Sequence, residues 1–386
     1  MRFIRMDICE VRIPFRFSFR HARAERSEAH SLIIALTVDS GAIGYGEVVP
    51  REYLTGETVY SAREDIRRRW WPALTRMVLP DNSPDLEPLW PALAPIYAEA
   101  DACRRLAGYG GVDIAAADAC GRAWGIAGRN LLGATALPRP LVAPLGSLAP
   151  HAIFWTCCLL RMIGFRNFKL KVGLERDRER IAAAGRALRQ RAAWVADANG
   201  AWGFDHAMKA AHFLREAGAA ALEQPIAATP QTPDMAAAQM ARLQTESGMP
   251  IIADESLCSL GDARALLAAG PIMWNLRLAK IGGFSGMRAM LALAAAASTP
   301  PPLYCGVLVG ETSLLAAAQR ACLGLAAWQQ VEYGFPRILL QGDPFRGGPG
   351  GYLGIAYPLG QTPGLGLHLS AARLDRVTMS REVYVR

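Results

Sequence analysis

The segment Asn167-Phe168-Lys169-Leu170-Lys171-Val172 is an alternating strand in which the two lysines point to the same side. Four similar segments follow it along the chain, and they carry Asp197, Glu223, Asp254 and Arg277 at their ends. Successive charged ends are separated by 23 to 31 residues, about the length of one strand plus one helix. This repeat indicates a parallel sheet in which successive strands end in charged side chains.

Eight short apolar segments are predicted to be strands. They lie at residues 141–145, 167–172, 194–197, 219–223, 251–254, 273–278, 303–307 and 330–332. Helical segments separate several of them, at residues 177–191, 204–218, 234–248 and 261–269. This order predicts an α/β fold, a (β/α)₈ barrel over residues 136–345. An open doubly wound sheet is the alternative, and it loses support because no G-x-G-x-x-G motif follows the first strand.

The N-terminal region has a different pattern. Alternation at residues 4–15 and 31–39, a turn at Ser40-Gly41 and the segment 44–47 predict three strands. Helical patterning follows from about residue 61 to residue 132, so residues 1–135 are predicted to form an α+β unit. The Gly- and Pro-rich tail, residues 346–386, is predicted to return to that unit.

Composition and charge narrow the class of protein. Hydrophobic residues make up 52% of the chain and charged residues 20%, so a large core is expected rather than disorder. The net charge of +8 is scattered along the chain, which suits an enzyme for small acids better than a nucleic-acid-binding protein. Neither a signal peptide nor an apolar run of membrane length is recognisable. A cytoplasmic protein without a nucleic-acid or membrane partner is therefore expected.

The charged strand ends predict a metal site and a reaction class. Catalytic groups of a barrel lie at the C-terminal ends of its strands, where Asp197, Glu223 and Asp254 would meet. Mg²⁺ prefers such carboxylate oxygens, and Mn²⁺ is the alternative ion. Lysines beside that metal, here Lys169 and Lys171, would have a lowered pKa and serve as a base near neutral pH. The set predicts abstraction of the proton α to a carboxylate, with positive charge placed at the developing enolate oxygen.

The combined motifs resemble the enolase superfamily, in particular the muconate-lactonizing subgroup of its mandelate racemase/muconate lactonizing enzyme family. The barrel motifs are Lys169-Leu170-Lys171, Asp197-Ala198-Asn199-Gly200-Ala201-Trp202, Glu223-Gln224-Pro225, Ala253-Asp254-Glu255-Ser256 and Lys280-Ile281-Gly282-Gly283. The N-terminal motifs are Gly44-Tyr45-Gly46-Glu47 and Tyr53-Leu54-Thr55-Gly56-Glu57-Thr58, which are similar to that family's capping domain. The resemblance covers nearly the whole chain and implies a modified (β/α)₈ TIM barrel with an N-terminal α+β capping domain.

The resemblance also implies the roles of the site residues. The Mg²⁺ ligands would be Asp197, Glu223 and Asp254. Lys171 would be the acid/base and Lys169 a cation near the substrate carboxylate, while Asn199 and Glu255 would support the metal site without binding the ion. A small carboxylic-acid substrate and a homo-oligomer are implied as well.

One position departs from the family pattern. The family's second catalytic lysine lies three residues before the lysine of the K-x-G-G motif, and Arg277 occupies that position here, which leaves Lys280 as the structural lysine. Arginine stays protonated, so Arg277 is a poor base but a good fixed cation. The departure favours a one-base isomerase or lyase, performing cycloisomerisation or syn elimination of water, over a two-base racemase. A racemase or epimerase of an amino-acid derivative or dipeptide is the alternative, and a non-catalytic metal-binding barrel is a remote one.

Substrate selection in this family comes from two lid loops of the capping domain and from the last strand ends. The first lid, residues 16–26, is basic and includes Arg20 and Arg23, which indicates either a solvated loop or contact with a second acid group of the substrate. The second lid, residues 51–58, is expected beside it at the barrel mouth. Glu311 and Glu332 lie near the ends of strands seven and eight. The tripeptide Glu332-Tyr333-Gly334 does not reproduce the D-x-D of dipeptide epimerases, which lowers the expectation of that activity.

Overall fold

The computed structural model describes residues 1–21, 24–133, 137–189, 191–228, 232–347, 351–352 and 354–386. The first strands are β1 (Phe3–His21), β2 (Ala24–Val38) and β3 (Ile43–Val48). The helices that follow are α1 (Glu52–Thr55), α2 (Val59–Asp65), α3 (Trp71–Arg76), α4 (Leu89–Ala102) and α5 (Leu106–Ala123), with a π-helical turn at Ile66–Trp70 and a 3₁₀ turn at Gly128–Asn130.

The central region alternates short strands with helices. Its strands are β4 (Arg139–Pro140), β5 (Val142–Leu145), β6 (Asn167–Lys171), β7 (Ala193–Asp197), β8 (Ala221–Glu223), β9 (Ile251–Ala253), β10 (Met273–Leu276), β11 (Leu303–Cys305) and β12 (Gln330–Val331). Its helices are α6 (Pro150–Met162), α7 (Asp177–Leu188), α8 (Phe204–Glu216), α9 (Pro233–Ser247), α10 (Leu260–Ala269), α11 (Leu278–Ile281), α12 (Gly283–Ala295) and α13 (Ser313–Ala321), followed by a 3₁₀ turn at Cys322–Gly324.

The last region contains short elements that join earlier sheets. These elements are α14 (Pro336–Leu339), β13 (Phe345–Gly347), β14 (Gly351–Tyr352), β15 (Ile355–Ala356), β16 (Leu367–Leu369), α15 (Ala371–Val377) and β17 (Thr378–Val385). Strand β17 pairs antiparallel with β1, so the N-terminal sheet has the order β17-β1-β2-β3. Strand β15 pairs with both β14 and β4.

Strands β5 to β12 form one parallel sheet in sequential order. A parallel bridge between Leu141 and Val331 brings its two edges together, so the predicted (β/α)₈ barrel is confirmed. Several strands end before the predicted boundary. Asp254 and Arg277 each come directly after the last residue of a strand, β9 and β10 respectively.

Two glycines let β3 lie directly on helix α5. A Cβ atom at Gly44 would lie 2.1 Å from the backbone nitrogen of Ala119, and one at Gly46 would lie 1.8 Å from the carbonyl oxygen of Gly111. Neither position tolerates a side chain, since atoms cannot approach so closely without moving the helix. The strand that carries Glu47 is thereby fixed against the helix that borders the barrel.

Glu47 links the N-terminal sheet to the barrel. Its carboxylate is 1% exposed and accepts hydrogen bonds from Thr312 N at 3.0 Å, Thr312 Oγ1 at 2.7 Å and Ser31 Oγ at 3.2 Å. Burial raises the pKa of Glu47 to about 7, although the hydrogen bonds from Thr312 act in the opposite direction, and the nearby carboxylate of Asp343 adds to the rise. The ionised carboxylate is therefore costly in the folded state.

We expect this cost to appear in the pH dependence of stability. A carboxyl pKa that is higher in the folded state stabilises the fold below pH 4.5, and that stabilisation is lost as the pH rises to about 7. Between these pH values the free energy of unfolding of the native protein should fall relative to that of Glu47→Gln, by up to about 3 kcal/mol. Urea unfolding at intervals from pH 4.5 to pH 8 measures the difference. The exposed control Glu216→Gln should follow the native profile, and parallel profiles for the native protein and Glu47→Gln would contradict the expectation.

Candidate active site

Neighbouring parallel strands place charged residues side by side at the C-terminal edge of the barrel. Lys171 is in register with Asp197, and Asp197 is in register with Glu223. Because side chains alternate along a strand, Lys169 points to the same side as Lys171, into the barrel mouth. Two residues before the acids, Val195 and Ala221 belong to a small apolar cluster that forms the floor beneath them.

Lys169 lies at the centre of this edge and is surrounded by carboxylates. Its Nζ is 2.9 Å from Asp197 Oδ2, 2.7 Å from Glu223 Oε1 and 2.5 Å from Glu332 Oε1. The lysine side chain is only 6% exposed. Burial alone would lower the pKa of Lys169, but the attraction of the three carboxylates outweighs it and holds the pKa well above its ordinary value. The expectation of a lowered pKa at this lysine applies to a site with a bound metal ion, and it stays a prediction.

Lys171 is placed differently. Its Nζ lies 2.6 Å from Asp197 Oδ2 and donates to Asn199 Oδ1 at 2.8 Å. Asn199 in turn donates from its side-chain nitrogen to Glu255 Oε1 at 3.1 Å, and its backbone φ of +47° turns the chain back toward the strand end. The ammonium group of Lys171 is consequently fixed by one carboxylate and one amide on the cavity wall.

Asp254 is neutralised from the other side. Arg277 Nη2 is 2.5 Å from Asp254 Oδ2 and 3.2 Å from Glu223 Oε1. Lys280 Nζ is 2.8 Å from Asp254 Oδ1 and also donates to the Asp254 carbonyl oxygen. Since Lys280 is fully buried behind this acid on helix α11, it belongs to the support of the site and not to the cavity surface.

The buried charges shift one another strongly. Burial raises the pKa of Asp197, but Lys169 and Lys171 outweigh burial, so the pKa of Asp197 lies well below its usual range. Burial, opposed by Lys169, raises the pKa of Glu223 to about 8. Burial together with the charge on Asp254 raises the pKa of Glu255 to about 7. Such shifts within one cleft are typical of functional sites.

The predicted metal ligands can be compared with this arrangement. Hard divalent cations such as Mg²⁺ bind carboxylate oxygens, and among the described residues Glu255 Oε2 is buried without a hydrogen-bond partner. Asp254 Oδ2 also lacks a hydrogen bond of normal geometry, but it forms the ion pair with Arg277. The chemistry of the donor set therefore fits a divalent cation. The positions of the side chains agree less well with a metal site. Among the described residues, no three acidic, histidine or cysteine side chains are close enough together to hold a metal ion as they stand. Lys169 and Arg277 stand between the carboxylates and neutralise them, since buried carboxylates need positive partners.

Asn275 belongs to the same layer, and the sequence analysis missed it. Its Nδ2 donates to Glu223 Oε1 at 2.9 Å, while its Oδ1 is buried without a partner. A Cβ atom at Gly306 on the next strand would lie 2.1 Å from that oxygen, so only glycine leaves room for the amide. Strand alternation offered the signal, because Asn275 is two residues before Arg277 and points to the same side.

The cavity above these charges has a wall from the N-terminal unit. Phe17, Arg26, Arg51 and Tyr53 line the cavity together with Lys169, Lys171, Asn199 and Arg277. The remaining wall is mainly apolar and comes from the barrel, at Val142, Pro144, Val307, Leu308, Val309, Tyr333, Phe335 and Leu339. Both segments expected as lids, residues 16–26 and 51–58, therefore contribute side chains to the barrel mouth.

Other candidate substrate residues differ in their positions. Glu332 lies on the cavity wall, where it contacts Lys169 and accepts from Val307 N at 3.1 Å. Glu311 is buried behind the wall, where its carboxylate accepts from Leu308 N at 2.8 Å and burial raises its pKa to about 8. The predicted contacts of Arg20 and Arg23 fall outside the described side chains, so both remain predictions.

Arg51 holds the N-terminal unit to the barrel mouth. Its guanidinium donates to the carbonyl oxygens of Pro50 and Val309, each at 3.0 Å. Burial lowers the pKa of Arg51 to about 10, and the neighbouring Arg26 lowers it further. Within the described part of the chain, neither arginine forms an ion pair with a carboxylate. These two cations therefore leave a positive region on the upper wall of the cavity.

The fold and the site together define a capped (β/α)₈ barrel with acids and fixed cations at the C-terminal ends of its strands. A sequence model described as Enolase C-terminal domain-like matches residues 158–373, and the chain belongs to this family, within the mandelate racemase/muconate lactonizing branch of the enolase superfamily. Membership of this superfamily supports the prediction that the protein is an enzyme.

Individual relatives divide between two activities. The chain is 33% identical over 221 residues to muconate cycloisomerase 1-2 of Acinetobacter lwoffii, an alignment that covers 55% of this chain and 54% of that protein. It is 26% identical to the L-Ala-D/L-Glu epimerase of Bacillus subtilis (strain 168), over 95% of this chain and 97% of the epimerase. The structure of a dipeptide epimerase from Cytophaga hutchinsonii, complexed with Mg and the dipeptide D-Ala-L-Val, superposes with a TM-score of 0.80. That superposition covers 99% of this chain and 100% of the epimerase at 22% identity, and it shows a shared fold.

Across the described helices, none combines the length and the apolar character needed to cross a membrane.

Proposed function

We propose that the protein removes the proton α to a carboxylate of a small acid, with Lys171 as its single base. The observation that carries the proposal is that the two sides of the acid cluster at the barrel mouth carry different cations. An amine that can exchange a proton, Lys171, lies on one side of the acids, and a permanently charged guanidinium, Arg277, lies on the other. A site with one base is suited to cycloisomerisation or to syn elimination.

The proposed mechanism assigns a task to each group. Asp197, Glu223 and Asp254 would hold a divalent cation, and a bound cation would supply positive charge to the substrate carboxylate. Lys171 would take the α-proton at Nζ, with Asn199 orienting the ammonium group that forms. Arg277 would contribute fixed positive charge to the developing enolate oxygen without moving a proton.

The upper wall supports a substrate that carries a second anionic group. Arg51 is 4% exposed, and its hydrogen-bond partners among the described residues are carbonyl oxygens, so an anion would offset the cost of burying its charge. Between Arg51 and the floor the wall is apolar. Glu332 is the carboxylate on the described part of the wall, and Lys169 already neutralises it. The preferred substrate class is therefore a diacid with an apolar middle and no ammonium group.

A deuterium-exchange screen tests this proposal. In D₂O with Mg²⁺, small dicarboxylic acids should incorporate deuterium at the α-carbon, and their monoamides should do so at least about tenfold more slowly. Arg51→Met should remove most of this preference by raising KM for the diacid. The matched control Arg68→Met changes an exposed arginine, 69% accessible, and should keep the preference. Equal exchange of diacids and monoamides would contradict the diacid assignment, and no exchange with any acid would favour a non-catalytic barrel.

Epimerisation of an amino-acid derivative is the second candidate. Similarity to the L-Ala-D/L-Glu epimerase over 95% of the chain favours it. The two candidates differ in stereochemistry, because only an epimerase inverts the α-carbon during exchange. Chiral chromatography of the exchanged acid separates them.

A further inference from the structure

Arg320, in the last turn of helix α13, is a buried cation that forms no hydrogen bond or ion pair with the described residues. The residue is 1% exposed, and its Nε, Nη1 and Nη2 atoms have no hydrogen-bond partner. No carboxylate of the described chain forms an ion pair with it. Burial lowers the pKa of Arg320 to about 10. An unpaired buried charge reduces stability unless a specific neighbour offsets the cost.

The neighbour is an aromatic ring of the substrate cavity. The guanidinium carbon of Arg320 lies 4.7 Å from the ring centre of Tyr333, within the range of a cation–π contact. Phe335 packs edge-on against the same tyrosine, with ring centres 4.8 Å apart. Both Tyr333 and Phe335 line the cavity, whereas Arg320 lies behind them.

The residue before Arg320 acts on the same strand end. Gln319 Nε2 donates to the carbonyl oxygen of Glu332 at 2.9 Å and to that of Cys305 at 3.3 Å. The last turn of α13 therefore fixes the backbone of Glu332 through an amide and the ring of Tyr333 through a cation. These contacts define the wall that follows the eighth barrel strand.

We propose that Arg320 is a positioning residue for substrate binding, which it serves by fixing the ring of Tyr333 on the cavity wall. The proposal rests on the proposed function to the extent that the substrate packs against this wall. The competing explanation is structural: a cation in the last turn of a helix interacts favourably with the helix dipole. The two explanations differ in their prediction for Arg320→Met: the helix-dipole role predicts a loss of stability, and the positioning role predicts no loss.

Stability and ring order provide the first test, and neither needs a substrate. Methionine fills a similar volume without a buried charge, so Arg320→Met should leave the melting temperature unchanged or raise it. In protein labelled with 3-fluorotyrosine, the ¹⁹F resonance of Tyr333, assigned with Tyr333→Phe, should shift and broaden in Arg320→Met. Arg320→Lys, which keeps the charge, should retain part of the native shift. A melting temperature lowered by more than about 5 °C with an unchanged Tyr333 resonance would overturn the proposal and support the helix-dipole role.

Binding of a saturated six-carbon diacid, adipate, in the presence of Mg²⁺ provides the second test. Calorimetry should show affinity about tenfold weaker for Arg320→Met than for the native protein. Tyr333→Leu should weaken binding, and adding Arg320→Met to that variant should weaken it little further. Arg68→Met is the charge-matched control and should bind like the native protein. If Arg320→Met weakened adipate binding equally in the native protein and in Tyr333→Leu, Arg320 would not act through Tyr333. If the native protein bound no adipate, the diacid assignment would fail, while the resonance and the melting temperature would still decide the role of Arg320.

Discussion

Replacing Lys171 with alanine should abolish both turnover and α-deuterium exchange, by about 10²–10⁴-fold or more. The reason is that the nitrogen of Lys171, at the cavity surface, contacts one carboxylate of the described residues, that of Asp197, and the amide oxygen of Asn199. Lys169, in contrast, lies among three carboxylates that hold it protonated. Rates of α-proton exchange measured by ¹H NMR in D₂O check the expectation.

The arginine opposite Lys171 provides the matched comparison. Arg277→Lys should retain exchange, and it should add a second group that is able to exchange a proton, so a chiral substrate should begin to racemise. Arg277→Met should weaken turnover through the loss of a fixed cation next to Asp254 and Glu223. Full exchange in Lys171→Ala together with lost exchange in Arg277→Met would reverse the two assignments. Circular dichroism and melting temperatures of each variant separate a chemical defect from a folding defect.

The barrel and its charged edge could be predicted from sequence because both depend on local pattern. Strand alternation fixes the side on which Lys169 and Lys171 lie, and the spacing of one strand plus one helix brings Asp197 and Glu223 into register. The same rule could also have identified Asn275, which lies two residues before Arg277 on the same side of its strand. The rule did not predict that cationic side chains would occupy the space between the carboxylates, since that arrangement depends on how long side chains pack in three dimensions.

Contacts between distant segments were beyond the reach of local pattern. Arg51 binds the carbonyl oxygen of Val309, 258 residues later in the chain. Arg320 reads as an ordinary basic residue at a helix end, and only packing shows that it is buried against Tyr333. For the same reason Glu311, which lies near a strand end in sequence, is behind the cavity wall instead of on it. Charge and spacing identify such residues as candidates, and tertiary packing decides their surroundings.

The metal assignment leads to a second large expected effect, on cation binding itself. Glu223 is the acid shared by Lys169, Asn275 and Arg277, so its charge is central to the layer. Glu223→Gln keeps an oxygen that accepts hydrogen bonds and removes one ligand charge. Affinity for the divalent cation should fall by more than about 100-fold, since loss of an outer partner alone costs about 10–100-fold.

Two measurements that do not depend on turnover check this expectation. Titration of Mn²⁺ followed by electron paramagnetic resonance should show one bound ion in the native protein, displaced by Mg²⁺, and none in Glu223→Gln at the same concentrations. Mg²⁺ at about 100 times its dissociation constant should stabilise the native protein by about 2.7 kcal/mol, and the variant should gain nothing. Glu216→Gln removes an exposed carboxylate on helix α8 and serves as the charge-matched control. Equal Mn²⁺ binding by Glu223→Gln and Glu216→Gln would exclude Glu223 as a ligand.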